Sequence, residues 1–156
     1  NSNSLEKNDD LQSAILLYNL SNIDESVEFS EILISNLKNL NLQSSGDNNN
    51  LIKNQVLFTI FSVIDSENLN PFKLKKTLLD SKPLPSLYLI NNIRKSIINN
   101  NDPELLINII ASLENSNWNN IHPEHLRLIL LGLSNYKNGF IFNSLLLEIL
   151  NENNII

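Results

Sequence analysis

The sequence predicts an all-α fold: a right-handed, α-solenoid-like array of about four antiparallel helical hairpins, eight helices in all. Three observations predict it. Leu and Ile dominate an apolar content of 42%, and Gly occurs only three times, a balance that favours long helices over a turn-rich β fold. Apolar residues recur at i, i+3, i+4 spacing in several windows. Polar or Pro-containing clusters, such as QSSGDNNN at 43–50 and SKPLPS at 81–86, break the chain between those windows.

Residues 1–8 are polar and are expected to be a frayed or disordered lead-in to a single domain over 9–156. A first helix fits 9–21, with Leu11, Ala14, Ile15 and Tyr18 as its inner stripe. Asp24-Glu25-Ser26 is an acidic start for a second helix that runs to about 40. Phe29, Ile32, Leu33, Leu37 and Leu40 line one side of it, while Glu31, Ser35 and Lys38 face outward. A third helix over 51–64 is β-branched enough to imitate a strand. Its length and its Leu57, Ile60, Phe61, Ile64 spacing decide for helix.

Pro71 suits the first turn of a fourth helix ending near 81, and a fifth follows over 86–99. Asp102-Pro103-Glu104 combines a capping Asp, a Pro at the first helical position and an acid in the first turn, and it starts a sixth helix running to about 115. A seventh helix starts at Pro123, and an eighth covers 140–151.

The pairs resemble one another. Shifted by 113 residues, the last pair brings Leu130-Leu131-Gly132-Leu133-Ser134-Asn135 onto Leu17-Tyr18-Asn19-Leu20-Ser21-Asn22, and Phe142 onto Phe29. Shifted by 40, it brings Leu145, Leu146, Ile149 and Leu150 onto Leu105, Leu106, Ile109 and Ile110. A loose period of about 33 to 40 residues falls in the range of helical-hairpin arrays. Residues 131–144 resemble the tetratricopeptide repeat: Leu131-Gly132 stands for its Leu-Gly pair, Tyr136 lies near its aromatic, Gly139 is its turn glycine and Ser144 its small residue. The resemblance covers about 14 residues; Glu148 and Asn151 depart from the family's next aromatic and small positions, and the other pairs lack the Leu-Gly signature. It implies a tetratricopeptide-like hairpin array that binds proteins.

Charge and composition narrow the function. The net charge is −6, and apart from Lys73, Lys75 and Lys76 the basic residues are scattered, so no nucleic-acid partner is expected. The chain has no Cys, which leaves no disulfide, thiol nucleophile or cysteine metal site. No apolar stretch reaches the roughly 18 residues of a membrane span, and no signal peptide is visible. The start at Asn1 and the lack of Met suggest a processed chain or a piece of a longer one. The abundance of Asn fits coding bias in an AT-rich genome better than a polar zipper.

Candidate chemistry is sparse. His122-Pro123-Glu124-His125 is the one histidine cluster, but Pro123 places His122 at a helix cap, where it converges poorly with His125, and no third ligand has metal-site spacing. The acidic pairs Asp9/Asp10 and Asp24/Glu25 read as helix starts. Gly46, Gly132 and Gly139 form no phosphate loop; Gly132 suits close helix packing and Gly139 a left-handed turn. No catalytic residue, cofactor or metal is therefore expected.

Two anomalies point to a partner. Phe140, Ile141, Phe142, Leu145, Leu146, Leu147, Ile149 and Leu150 surround nearly the whole eighth helix, so it needs cover on more than one side. The cover is further chain, a second copy or a partner, or the domain's own closure around that helix. Arg94 interrupts the stripe of Leu87, Ile90, Ile93, Ile97 and Ile98. It either snorkels past the core edge or bonds helix-end carbonyls, or it opens onto a groove where it grips an acidic or C-terminal group of a partner peptide. Trp118 lies in a polar connector, as a plug between the third and fourth pairs or as an exposed binding aromatic.

The expected role is non-catalytic: a protein-interaction or scaffolding module, contacting a protein partner or itself through Arg94, Trp118, Phe142, Leu146, Leu147 and Ile149, chiefly on the C-terminal helix. The rivals are the helical substrate-positioning domain of an enzyme whose catalytic part is elsewhere, which rests on fold analogy alone, and a carrier of a small apolar ligand.

Overall fold

A computed structural model of the chain describes residues 48–64, 82–114, 116–134 and 139–155. Among them are five α-helices and one 3-10 turn, with no strand. We name the helices α1 (Asn48–Ile64), α2 (Leu87–Ile98), α3 (Asp102–Leu113), α4 (Pro123–Ser134) and α5 (Gly139–Glu152); the 3-10 turn is Trp118–Asn120. These are the third and the fifth to eighth of the expected helices. The expected first, second and fourth helices, the polar lead-in at 1–8 and the Lys73/Lys75/Lys76 cluster lie outside the described residues.

In α1, Val56, Leu57, Ile60 and Phe61 are buried, so the inner stripe follows a helical rather than a strand period. Thr59, also buried, donates its hydroxyl to the Gln55 carbonyl at 2.8 Å, which satisfies a polar group on that face. The helix begins three residues before the expected start: Asn48, Asn49 and Asn50 form its first turn. Weak helix propensity is tolerable there because first-turn N–H groups have no intrahelical partner in any case.

The link between α2 and α3 is three asparagines, each with a task. Asn101 N–H donates to the Ser96 carbonyl at 3.0 Å and Asn100 N–H to the Ile97 carbonyl at 3.2 Å. With Asn100 at φ 50°, this is a Schellman ending. Asn101 also caps α3: its Oδ1 accepts from Glu104 N–H at 3.4 Å, and its Nδ2 donates to the Glu104 carboxylate at 2.7 Å. The cap is thus Asn101, one residue before the expected Asp102, which instead occupies the first helical position. The same device closes α5: Ile155 N–H donates to the Leu150 carbonyl at 2.9 Å, Asn154 sits at φ 52°, and Ile155 packs against the core.

The core is one cluster drawn from all five helices and the 3-10 turn. Helix α4 is central, with Leu126, Ile129, Leu130 and Leu133 buried. α1, α2 and α5 all pack on it, and α2 also packs along α3 as a hairpin. Gly132 makes the crossing close. A Cβ there would stand 3.0 Å from Leu105 Cδ1 and 3.4 Å from Ile97 Cδ1, so α4 meets α2 and α3 through a bare backbone, as its sequence context suggested.

The apolar ring of α5 is covered by its own chain. Phe142, Leu146, Ile149 and Leu150 are buried, with Ile149 fully enclosed; Ile141, Leu145 and Leu147 are half-buried. Each enclosed side chain contributes about 1.5–3 kcal/mol to holding the helix down. Among the described residues, this helix leaves no large apolar side chain exposed, in place of the uncovered C-terminal face that the sequence suggested. Cover comes from α4, from the 3-10 turn and from the closing Ile155. The 40-residue register holds at Ile109 and Ile149, both buried, and breaks at Ile110, which is 70% exposed while Leu150 is enclosed.

Candidate functional site

The described surface exposes its large apolar side chains mainly around α2 and on the outer side of α3. Leu87 and Ile98, at the two ends of α2, are 77% and 78% exposed. Tyr88 is exposed too, as are Ile107 and Ile110 on α3. The expected stripe on α2 is therefore split: Ile93 points into the core, Ile90 and Ile97 are half-buried, and Leu87 and Ile98 are left in solvent.

Between α2 and α4 these residues border a groove of about 530 Å³. Leu87, Ile90 and Ile97 form one wall, Leu128 and Leu131 the other, and Leu84 lies at one end. Helical spacing explains the walls. Leu87, Ile90, Arg94 and Ile97 follow one side of α2, and Glu124, Arg127, Leu128 and Leu131 follow one side of α4. Both guanidinium groups, Arg94 and Arg127, belong to the lining and are exposed, and Glu124 is the one acid in it. No ion pair ties either arginine among the described residues. Arg94 is exposed and lines the groove, a position compatible with a side chain that snorkels past the core edge and with one that opens onto the groove.

Arg127 and Leu131 were missed. Their signal was present: Arg127 interrupts an oily helix much as Arg94 does, and Leu131 follows one turn later on the same side.

The other expected contact residues are placed differently. Trp118 is buried in the 3-10 turn and joins the core cluster; its backbone N–H donates to the Glu152 carboxylate at 2.7 Å, tying the turn to the end of α5. It fills an internal gap. Phe142, Leu146 and Ile149 belong to the core, and Leu147 packs against it half-buried. Of the six residues, Arg94 alone faces the groove.

The histidines separate by role. His122 Nδ1 accepts from Glu124 N–H at 3.1 Å, a cap for α4. His125 is buried and touches the groove from below, with Nε2 2.8 Å from Ser112 Oγ on α3. Ser112 Oγ also lies 2.7 Å from the Ile109 carbonyl; in the tautomer that leaves the hydroxyl proton on that carbonyl, the ring donates through Nε2–H. The pair therefore pins α3 to α4. Burial, and then the neighbouring His122, lower the His125 pKa from 6.5 to about 4, which keeps the ring neutral. Among the described residues no group of three or more His, Asp or Glu is placed to share a metal ion, and no helix is long and apolar enough to cross a membrane.

No family model matches the chain, and neither does a curated protein or a solved structure. The groove is the feature on which a functional reading rests.

Proposed function

We infer that the chain is a non-catalytic protein-interaction module that receives a segment of a partner in the groove between α2 and α4. One observation carries this reading: Leu and Ile walls flanking two exposed guanidinium groups, Arg94 and Arg127. Such a surface suits an amphipathic segment whose apolar side chains fill the trough while carboxylates meet the arginines. Leu87 and Ile98 stand at its edges three-quarters in solvent, so the space is an open trough. That favours a protein segment over a small apolar ligand, which needs to be enclosed over most of its surface. The docking surface is accordingly placed on α2 and α4, and self-association through α5 is given up because its apolar side chains are occupied internally.

The wider architecture we read as a tetratricopeptide-like array of hairpins. The α2–α3 hairpin stacked on α4 at Gly132, and the packing of α4 on α5, support it. The packing of α1 on α4 joins the second and fourth expected pairs and departs from the nearest-neighbour stacking of such an array. The test is site-specific photo-crosslinking in cells that make the protein, with the photoreactive side chain at position 87 in the groove or at position 107 on α3, in chains with Arg94 intact or replaced by Glu.

A further inference from the structure

The charge of the chain is unevenly distributed. Residues 1–47 hold eight acidic and two basic side chains, and the remaining residues hold nine of each, so the whole net charge of −6 belongs to the N-terminal 47 residues. Within that stretch, residues 24–40 lie outside the described structure, and their sequence is the complement of the groove. Asp24, Glu25, Glu28 and Glu31 stand against a single base, Lys38. The groove offers two guanidinium groups against a single acid, Glu124. Phe29, Ile32, Leu33, Leu37 and Leu40 have the spacing of a helix with one apolar side. The lengths agree as well: from Phe29 to Leu40 a helix rises about 17 Å, and so does α2 from Leu87 to Ile98.

We propose that residues 24–40 of this same chain dock as an amphipathic helix in the groove between α2 and α4, with Glu25 and Glu28, the two acids that flank the apolar side of that helix, turned toward Arg94 and Arg127. The inference rests on the reading of the groove as a docking surface and names its resting occupant. The tether permits it. Leu40 is eight residues before Asn48, at most about 28 Å of extended chain, and α1 packs directly on α4, the helix that forms one wall. A tethered segment has an effective concentration on the order of millimolar, so even weak intrinsic affinity keeps the groove filled. An incoming partner must then displace it, which makes the segment a competitor built into the chain.

The lack of Cys allows a clean test in this 156-residue chain. Two cysteines are introduced, Leu33→Cys with Leu87→Cys, and mild oxidation is followed by mass. A control pairs Leu33→Cys with Ile107→Cys, whose site on α3 is exposed but outside the groove. A second groove pair, Leu37→Cys with Leu87→Cys, guards against one unfavourable geometry, since a disulfide needs its Cα atoms roughly 4.4–6.8 Å apart. The proposal expects an intramolecular bond in at least one groove pair, formed at least tenfold faster than in the control. It expects Arg94→Glu with Arg127→Glu to slow that bond at least fivefold while circular dichroism is unchanged. Equal rates in groove and control pairs overturn it. A product of doubled mass overturns it in favour of a second copy as occupant. The groove reading fails separately: if the disulfide forms as expected but photo-crosslinking to a partner is indifferent to Arg94, the groove is an intramolecular contact only. If crosslinking depends on Arg94 and no groove disulfide forms, the docking reading stands and the resting occupant is wrong.

Discussion

Ser112 and His125 meet 2.8 Å apart at the contact between α3 and α4, both buried and both hydrogen-bonded. Burial of the His125 ring at this contact, and then the neighbouring His122, make stability depend on pH. With its pKa lowered to about 4, His125 is neutral in the folded chain at a pH where the unfolded chain, at 6.5, is already taking up a proton. The unfolded state therefore binds more protons between these values, and stability falls as pH drops from about 6.5 toward 4. The full effect is about 3 kcal/mol, from a shift of about 2.5 units at 1.36 kcal/mol each. Urea denaturation at pH 7 and at pH 4.5 should show it. His125→Gln should lower stability at pH 7 and flatten that part of the pH dependence.

Gly132 supports a second prediction, because two effects oppose each other there. Alanine in a helix interior is favoured over glycine by about 1 kcal/mol. Its Cβ would press on Leu105 Cδ1 at 3.0 Å, the movable end of a side chain. Gly132→Ala should therefore change stability by less than about 1 kcal/mol. Gly132→Leu has no room between Leu105 and Ile97 and should lose about 1–3 kcal/mol or more by overpacking. Thermal unfolding of the two variants gives both values.

The C-terminal helix should respond as core. Ile149→Glu puts a carboxylate where the native side chain is fully enclosed, and it should abolish the cooperative unfolding transition or lower the midpoint steeply. Leu147→Glu, at a half-buried site, should be milder, on the order of 1–2 kcal/mol. An Ile149→Glu chain that keeps its helical signal and only changes its sedimentation would return α5 to the surface and refute this packing.

Glu114 ends α3 at φ 47°, a backbone region that glycine adopts freely and a side chain with a Cβ does not. Its side chain is exposed. Glu114→Gly should raise stability by up to about 1 kcal/mol, the left-handed strain relieved less the added entropy of the unfolded glycine. Asn100→Gly should gain less, because Asn is the non-glycine residue that tolerates this conformation best. Paired denaturation curves rank the two.

Much of this was legible in the residues. Leu57, Ile60 and Phe61 marked the buried side of α1, Pro123 marked the start of α4, and Asp102-Pro103-Glu104 marked the start of α3 to within one residue of its cap. Periodicity and punctuation are local, so a single sequence carries them. What lay hidden was tertiary. The ring of Leu and Ile on α5 showed that the helix needed cover, yet the cover proved to be α4, the turn at Trp118 and Ile155. Ile107 and Ile110 have the composition of core residues and face solvent, while Asn108 and Ser112 on the same helix face inward. Composition cannot sort such a helix, because its inner side is completed by polar groups satisfied across the fold, as Ser112 is at His125. At the groove, Arg94 was legible as an interruption, and Arg127 became meaningful only when α4 was seen opposite it.

The account depends most on the groove between α2 and α4 being where another protein segment docks. Photo-crosslinking in cells that make the protein tests this most directly. The account predicts a discrete protein adduct from position 87 and none from position 107, with the position-87 adduct reduced at least tenfold by Arg94→Glu in a chain that still folds. Equal adducts from both positions, or a position-87 adduct untouched by Arg94→Glu, would contradict it.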